Sequence, residues 1–270
     1  MKHLRVNGHD MAYVEFGSGE TVLCIHGSLG DFRVWSAQFG PLAEKFRVVA
    51  VSLRHFFPNR WDGDLATYKM DQHVADVIAF IAALGVGKVH LMGHSRGGHI
   101  AFRVAGARPE LVDRLVLAEP GGDLDASLDP SGQPAPPMRA HVNATAERIL
   151  AGDAMGALTD FLDRLDGPGG AAAYPKTRIR EMLDNIGTMV AQVHEERKPF
   201  SQASAEMIRT PTLLIGGADT PGSMPKVLAA LGAAIAGART VMIPRAKHFM
   251  MWDDPERYNE AVLQFLATAR

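Results

Sequence analysis

Between an apolar run, Lys88-Val89-His90-Leu91-Met92, and a helix-forming run, Ile100-Ala101-Phe102-Arg103-Val104-Ala105, stands Gly93-His94-Ser95-Arg96-Gly97-Gly98. This is G-x-S-x-G at a strand-to-helix junction. A turn that sharp forces its central serine into a strained backbone conformation. Glycines on either side let strand and helix approach closely. The geometry lifts the Ser95 hydroxyl clear of a sheet, at a helix N-terminus whose N–H groups stabilise developing negative charge. The plain alternative is a glycine-rich turn with an incidental serine, and the rest of the chain decides between them.

A chain of 270 residues suits one large domain, or a core domain carrying an insertion. Apolar residues make up 47% and charged residues 21%, ordinary values for a globular protein with a sizeable core. The net charge is −2 and no basic block is present, which argues against a nucleic-acid partner. The one cysteine, Cys24, lies in Val22-Leu23-Cys24-Ile25, so it forms no intrachain disulfide and reads as a buried small hydrophobe. No signal-like apolar stretch opens the chain, and no run of about 18 apolar residues exists to span a bilayer. The expectation is a cytoplasmic protein with a small-molecule substrate, no membrane contact and no cofactor. No metal motif is present either: His94 and His99 are five apart and do not share a helix face.

Pattern predicts strands at Leu4–Val6 and Met11–Phe16 around an Asn7-Gly8 turn, then at Thr21–Ile25, Phe46–Val51, Lys88–Met92 and Leu115–Ala118. Helices are expected over about 32–44, from Val74 to a stop at Gly85, and after the serine turn as far as Pro109. From Gly121 to about Ala205 no convincing strand appears. That stretch opens with Pro134, Pro136 and Pro137 and turns helical. Alternation resumes at Thr212–Ile215, a helix near 225–235, Thr240–Ile243 and a last helix over 255–267. Apolar strands alternating with amphipathic helices mean an α/β fold: a mostly parallel, doubly wound sheet covered on both faces. The interruption reads as a helical cap over the sheet's C-terminal edge, where open α/β sheets bind ligands. The expected division is a core of 1–120 and 206–270 and a cap of 121–205.

The serine turn, the early His26-Gly27 and a late histidine, in this order around an interrupted parallel sheet, resemble the α/β-hydrolase fold family, in its serine-nucleophile, esterase-like branch. The resemblance covers nearly the whole chain except the cap. The late histidine is His248, in Pro244-Arg245-Ala246-Lys247-His248-Phe249. The resemblance implies that His248 is the general base for Ser95, and that the backbone N–H groups of Ser28 and Arg96 hold the oxyanion. The Arg96 side chain is left open between an outward structural residue and a substrate contact. Two residues compete for the triad acid. Glu119 ends Leu115-Val116-Leu117-Ala118-Glu119-Pro120, a costly place for a carboxylate without a partner. Asp219 lies in Gly216-Gly217-Ala218-Asp219-Thr220-Pro221, one residue before the family's usual acid position, which Thr220 occupies. Ser52-Leu53-Arg54-His55 departs from the family's D-x-R-G, and His55 reads as a packed surface residue.

The nucleophile selects the chemistry. Gly93 to Gly98 resembles the G-H-D-R-G-G of fluoroacetate-type dehalogenases except at the aspartate; a serine forms no aspartyl ester, so that activity is excluded. Serine with a histidine base supports acyl transfer. The first expectation is therefore a serine hydrolase cleaving a small or medium carboxylic ester or lactone through an acyl-enzyme on Ser95. Met138, Met155, Met182, Met189 and Met207 suit a plastic apolar pocket, and Arg139, Arg148, Arg178 or Arg180 could bind a substrate carboxylate. One alternative is a carbon–carbon bond hydrolase of aromatic catabolism, although Phe249 replaces the tryptophan common after the histidine there. The other is a non-catalytic small-ligand receptor on the same fold, favoured only by the register of Asp219.

Overall fold

The computed structural model describes residues 1–131 and 138–268; Pro134, Pro136 and Pro137 lie outside the described residues, as do the side chains of Met138 and Arg139. Eight strands form one sheet: β1 (Lys2–Val6), β2 (His9–Phe16), β3 (Thr21–Ile25), β4 (Arg47–Val51), β5 (Val89–His94), β6 (Val112–Ala118), β7 (Thr212–Gly217) and β8 (Arg239–Ile243). Their order is β1-β2-β4-β3-β5-β6-β7-β8. β1 and β2 pair antiparallel, as do β2 and β4, and every other pairing is parallel.

Sequence and burial agree along the sheet. The largely apolar β3, β5 and β7 are buried throughout, as strands covered on both faces must be, whereas β1 and β8 at the edges are mostly open to solvent. Asn7 and Gly8 turn β1 into β2 with φ of 44° and 76°, the signature of a two-residue hairpin. The helices are α1 (Ser36–Ala43), α2 (Met70–Leu84), α3 (Arg96–Ala107), α4 (Met138–Leu150), α5 (Ala154–Asp166), α6 (Lys176–Asp184), α7 (Thr188–Gln192), α8 (Gln202–Glu206), α9 (Met224–Ala234), α10 (Met250–Asp253) and α11 (Pro255–Leu266). α2, α3 and α9 pack with Leu23, Leu91, Leu115 and Leu214 on one face of the sheet. α1 and α11 pack with Val22, Cys24, Val116 and Leu213 on the other. The helix expected over 32–44 is split. Asp31 caps a 3-10 turn at Phe32–Trp35 by accepting from Arg33 N, and α1 follows it. α2 starts at Met70 rather than Val74, because Met70 and His73 already face the core, and it ends at Gly85 in the left-handed region as expected.

Between β6 and β7 the described residues carry α4 to α8 and no strand, apart from an isolated bridge between Leu124 and Phe200. Leu158, Leu162, Met182, Ile186 and Met189 from this segment join the second core cluster. No helix among the described residues is long and apolar enough to cross a membrane.

His26, His73, His94 and His99 are buried. Burial holds each below the ordinary value of 6.5, His26 at about 4 and His99 at about 3. The unfolded chain therefore takes up protons that the folded one refuses as pH falls below 6.5. Stability is complete above that value and declines on the order of 1 kcal/mol per histidine for each unit below it. The urea midpoint should fall steeply from about pH 7 to about pH 5; an unchanged midpoint contradicts neutral burial of these rings.

Candidate active site

Ser95 links β5 to α3 with φ 51° and ψ −117°, a conformation that non-glycine residues seldom adopt. Its N–H donates to Ala118 O at 2.9 Å, and its carbonyl accepts from Gly121 N at 2.9 Å and His99 N at 3.0 Å. The flanking glycines are demanded by contact. A Cβ on Gly93 would collide with the Gly97 backbone, and one on Gly97 with the Ile25 and His26 carbonyls. The outcome is a half-buried serine between two buried neighbours, His94 and Arg96.

The carboxylate on His248 belongs to Glu119. His248 Nδ1 donates to Glu119 Oε2 at 2.7 Å, and both side chains are at most 2% exposed. This pairing places the ring proton on Nδ1 and leaves Nε2 as the basic nitrogen. Glu119 Oε1 accepts from Gly217 N at 2.9 Å and Thr220 Oγ1 at 2.7 Å. Glu119 itself takes φ 39°, so acid and serine both stand in strained turns at adjacent strand ends. Asp219 is exposed, and its backbone N–H bonds Ala246 O at 2.9 Å. The turn after β7 closes from Thr220 N to Gly217 O and sends the Thr220 side chain inward and Asp219 outward. Thr220, at the position of the family's usual acid, thus donates to Glu119.

Two further histidines brace the site. His94 Nε2 donates to His248 O at 2.9 Å, and the two rings lie 4.6 Å apart. Burial pushes His94 well below the ordinary range, so it remains neutral. His26 Nδ1 donates to Gly27 O at 2.8 Å while Nε2 accepts from Leu53 N at 3.0 Å, which fixes the turn carrying Ser28. A Cβ on Gly27 would come within 3.0 Å of Ser95 Cβ, so this turn rests directly on the serine elbow. A Cβ on Gly121 would stand 3.4 Å from Ser95 Oγ, which makes Gly121 a wall beside the hydroxyl.

Other expectations are corrected. Arg96 is not outward: it is fully buried and paired with Glu195. Met155 and Met207 are exposed, at 53% and 60%, whereas Met182 and Met189 are buried. Arg148 pairs with Asp153 and Asp160 at the surface, and Arg180 is exposed. Arg178 reaches the site, but Glu181, Ser36 and the Arg33 carbonyl engage its guanidinium above Trp252. His55 is buried, packed on Trp61 and Tyr68. A cavity of about 10 Å³, room for one water, lies among Ser28, Leu29, His94, Met182, Phe249 and Trp252. Among the described residues no cluster of His, Cys, Asp or Glu could hold a metal ion.

Residues 20–255 match the model of the alpha/beta hydrolase fold family. The chain belongs to that family. Among solved structures it is similar to the enol-lactonase of Burkholderia xenovorans LB400, with TM-score 0.81 and 20% identity over 98% of this chain and all of that one. It is also similar to a thermophilic esterase of Thermogutta terrifontis, with TM-score 0.78 and 26% identity over 98% and 96% of the two chains. An uncharacterized protein of Mycobacterium tuberculosis is 27% identical over 97% of this chain and 80% of its own length.

The Glu119–His248 contact yields a kinetic expectation. Glu119→Gln should lower kcat/KM about a thousandfold or more, because the amide cannot hold the imidazolium. Thr220→Val, which strips one hydrogen bond from the acid, should cost about tenfold. Asp219→Asn should stay within about twofold of wild type. Steady-state kinetics of the three variants check this, and equal mild effects of the two carboxylate changes contradict it.

Proposed function

We propose that this hydrolase-fold protein is a serine hydrolase that cleaves a small or medium carboxylic ester or lactone. The observation that carries this reading is the buried Glu119–His248 pair beside a serine held in a strained elbow. In the proposed reaction His248 Nε2 takes the Ser95 proton as Oγ attacks the carbonyl carbon. The oxyanion rests on the backbone N–H groups of Ser28 and Arg96. As the tetrahedral adduct collapses, the alkoxide leaves with the proton from His248, and Ser95 carries the acyl group. Water then attacks the acyl-enzyme, giving its proton to His248, and collapse returns that proton to Ser95 with release of the acid. In a lactone the leaving oxygen stays tethered to the acyl chain, and the same steps open the ring.

Glu119 keeps the imidazole in the required tautomer and stabilises the imidazolium that forms. The neutral His94 and His26 place no competing positive charge beside it. Leu29, Met182, Phe249 and Trp252 give the small cavity beside Ser28 and His94 an apolar side, and Asp31, Arg178 and Glu181 give it a charged one. The esterase and lactonase likenesses support the same class. The receptor alternative rested on Asp219 being out of register; with Glu119 on His248 that argument falls away. The carbon–carbon hydrolase reading gains no specific observation, since Phe249 stacks on Trp252 at 4.5 Å as ordinary packing.

A chain-length panel of p-nitrophenyl esters, with Ser95→Ala as the blank, tests the proposal. Turnover should peak at short acyl chains and fall about a thousandfold or more in the variant. Turnover retained by Ser95→Ala, or none by wild type on any ester or lactone, contradicts it.

A further inference from the structure

The helical segment between β6 and β7 reaches both candidate oxyanion donors through side chains. Ser28 Oγ donates to Gln192 Oε1 at 3.3 Å. Arg96 Nη1 donates to Glu195 Oε2 at 2.6 Å, and Nη2 pairs with Glu195 Oε1. Gln192 and Glu195 are themselves joined by Arg197, whose Nε donates to Glu195 Oε2 at 2.8 Å and whose Nη2 donates to Gln192 Oε1 at 3.2 Å. One short stretch, Gln192 to Arg197, therefore grips the residue after the nucleophile and the residue after His26-Gly27.

The grip on Arg96 is the strong one. Its side chain is fully buried, with its guanidinium carbon 4.8 Å from the centre of the Tyr68 ring. Nη2 also donates to His73 Nδ1 at 2.9 Å, so the His73 proton sits on Nε2, facing Arg54 O at 3.3 Å. Burial and the Arg96 charge hold His73 well below its ordinary value, so it stays neutral. Glu195 is accordingly the carboxylate that balances Arg96. Leaving a buried charge without its counterion is strongly destabilising. The bidentate fork also fixes the guanidinium in direction, and the Arg96 backbone N–H begins α3 directly behind Ser95.

We propose that Glu195 is the positioning residue of the oxyanion hole, holding the Arg96 end through a buried bidentate pair and the Ser28 end through Arg197 and Gln192. This rests on the reading that Ser95 attacks a carbonyl whose oxygen those two N–H groups receive. A group that sets the hole's geometry acts on the transition state more than on bound substrate.

The test uses Glu195→Gln, which keeps the shape and removes the charge, with Gln192→Ala and Arg197→Gln, which leave the buried pair intact. Each is assayed on the best p-nitrophenyl ester and against a trifluoromethyl ketone, which forms a tetrahedral oxyanion on an active serine. Glu195→Gln should lower kcat about 10–100-fold with KM within about threefold, and weaken the ketone by the same factor as kcat/KM. Gln192→Ala and Arg197→Gln should lower kcat about 3–10-fold with an unchanged melting temperature. If Glu195→Gln fails to fold, the other two decide. Unchanged kcat and ketone affinity in the folded variants, or a fall in melting temperature alone, overturns the proposal. Ser95→Ala is run alongside. If it still turns over, the reading of Ser95 itself fails; if it is dead while the folded variants behave as wild type, only the positioning role fails.

Discussion

A carboxylate with no solvent exposure stands at the meeting point of three strand ends. Removing Glu119 from water costs several kcal/mol unless both oxygens are satisfied. His248, Gly217 and Thr220 satisfy them. Much of the local structure follows from that requirement. β7 must end with a free backbone N–H at Gly217, the next turn must bring a hydroxyl inward, and the loop after β8 must deliver an imidazole with its Nδ1 proton toward Glu119. His94 holds that last loop from the other side by its bond to the His248 carbonyl. Geometry and electrostatics are one arrangement here.

The parallel sheet makes the arrangement possible. β5, β6 and β7 run parallel, so His94, Ala118 and Ile215 stand side by side. The chain leaves each strand at the same edge, and the residues that follow are brought together without long loops. Ser95 N–H donates to Ala118 O on β6, Glu119 N–H to Ile215 O on β7 and Gly121 N–H to Ser95 O, which keeps the strained conformations of Ser95 and Glu119 in place. Arg178, Glu181 and Met182 from the segment between β6 and β7 stand with Ser28 and His94 around a cavity about the size of one water.

The strands were legible because their apolar runs are short and bounded by turn residues, and β3 falls at Thr21–Ile25 as the pattern predicts. The elbow was legible because Gly93 and Gly97 are required by backbone contact. Choosing between Glu119 and Asp219 was harder. Both follow all-apolar strands, and which side chain turns inward depends on the closure of the turn at Gly217, a property without periodicity. The burial of Arg96 left no trace in the motif, since G-x-S-x-G is silent about x. Its partner Glu195 lies 99 residues away in a stretch with no motif. The methionines divided by helix face, with Met182 and Met189 inward and Met155 and Met207 outward, because single methionines carry no amphipathic pattern.

The proposed function depends on activation of Ser95 by Glu119 and His248. Its most direct measurement is the rate of fluorophosphonate labelling, read by intact mass and peptide mapping. Wild type should gain one adduct, located on Ser95, and Glu119→Gln and His248→Ala should label at least about a hundredfold more slowly while remaining folded. An adduct elsewhere, or unchanged labelling of Ser95 in both variants, would contradict it.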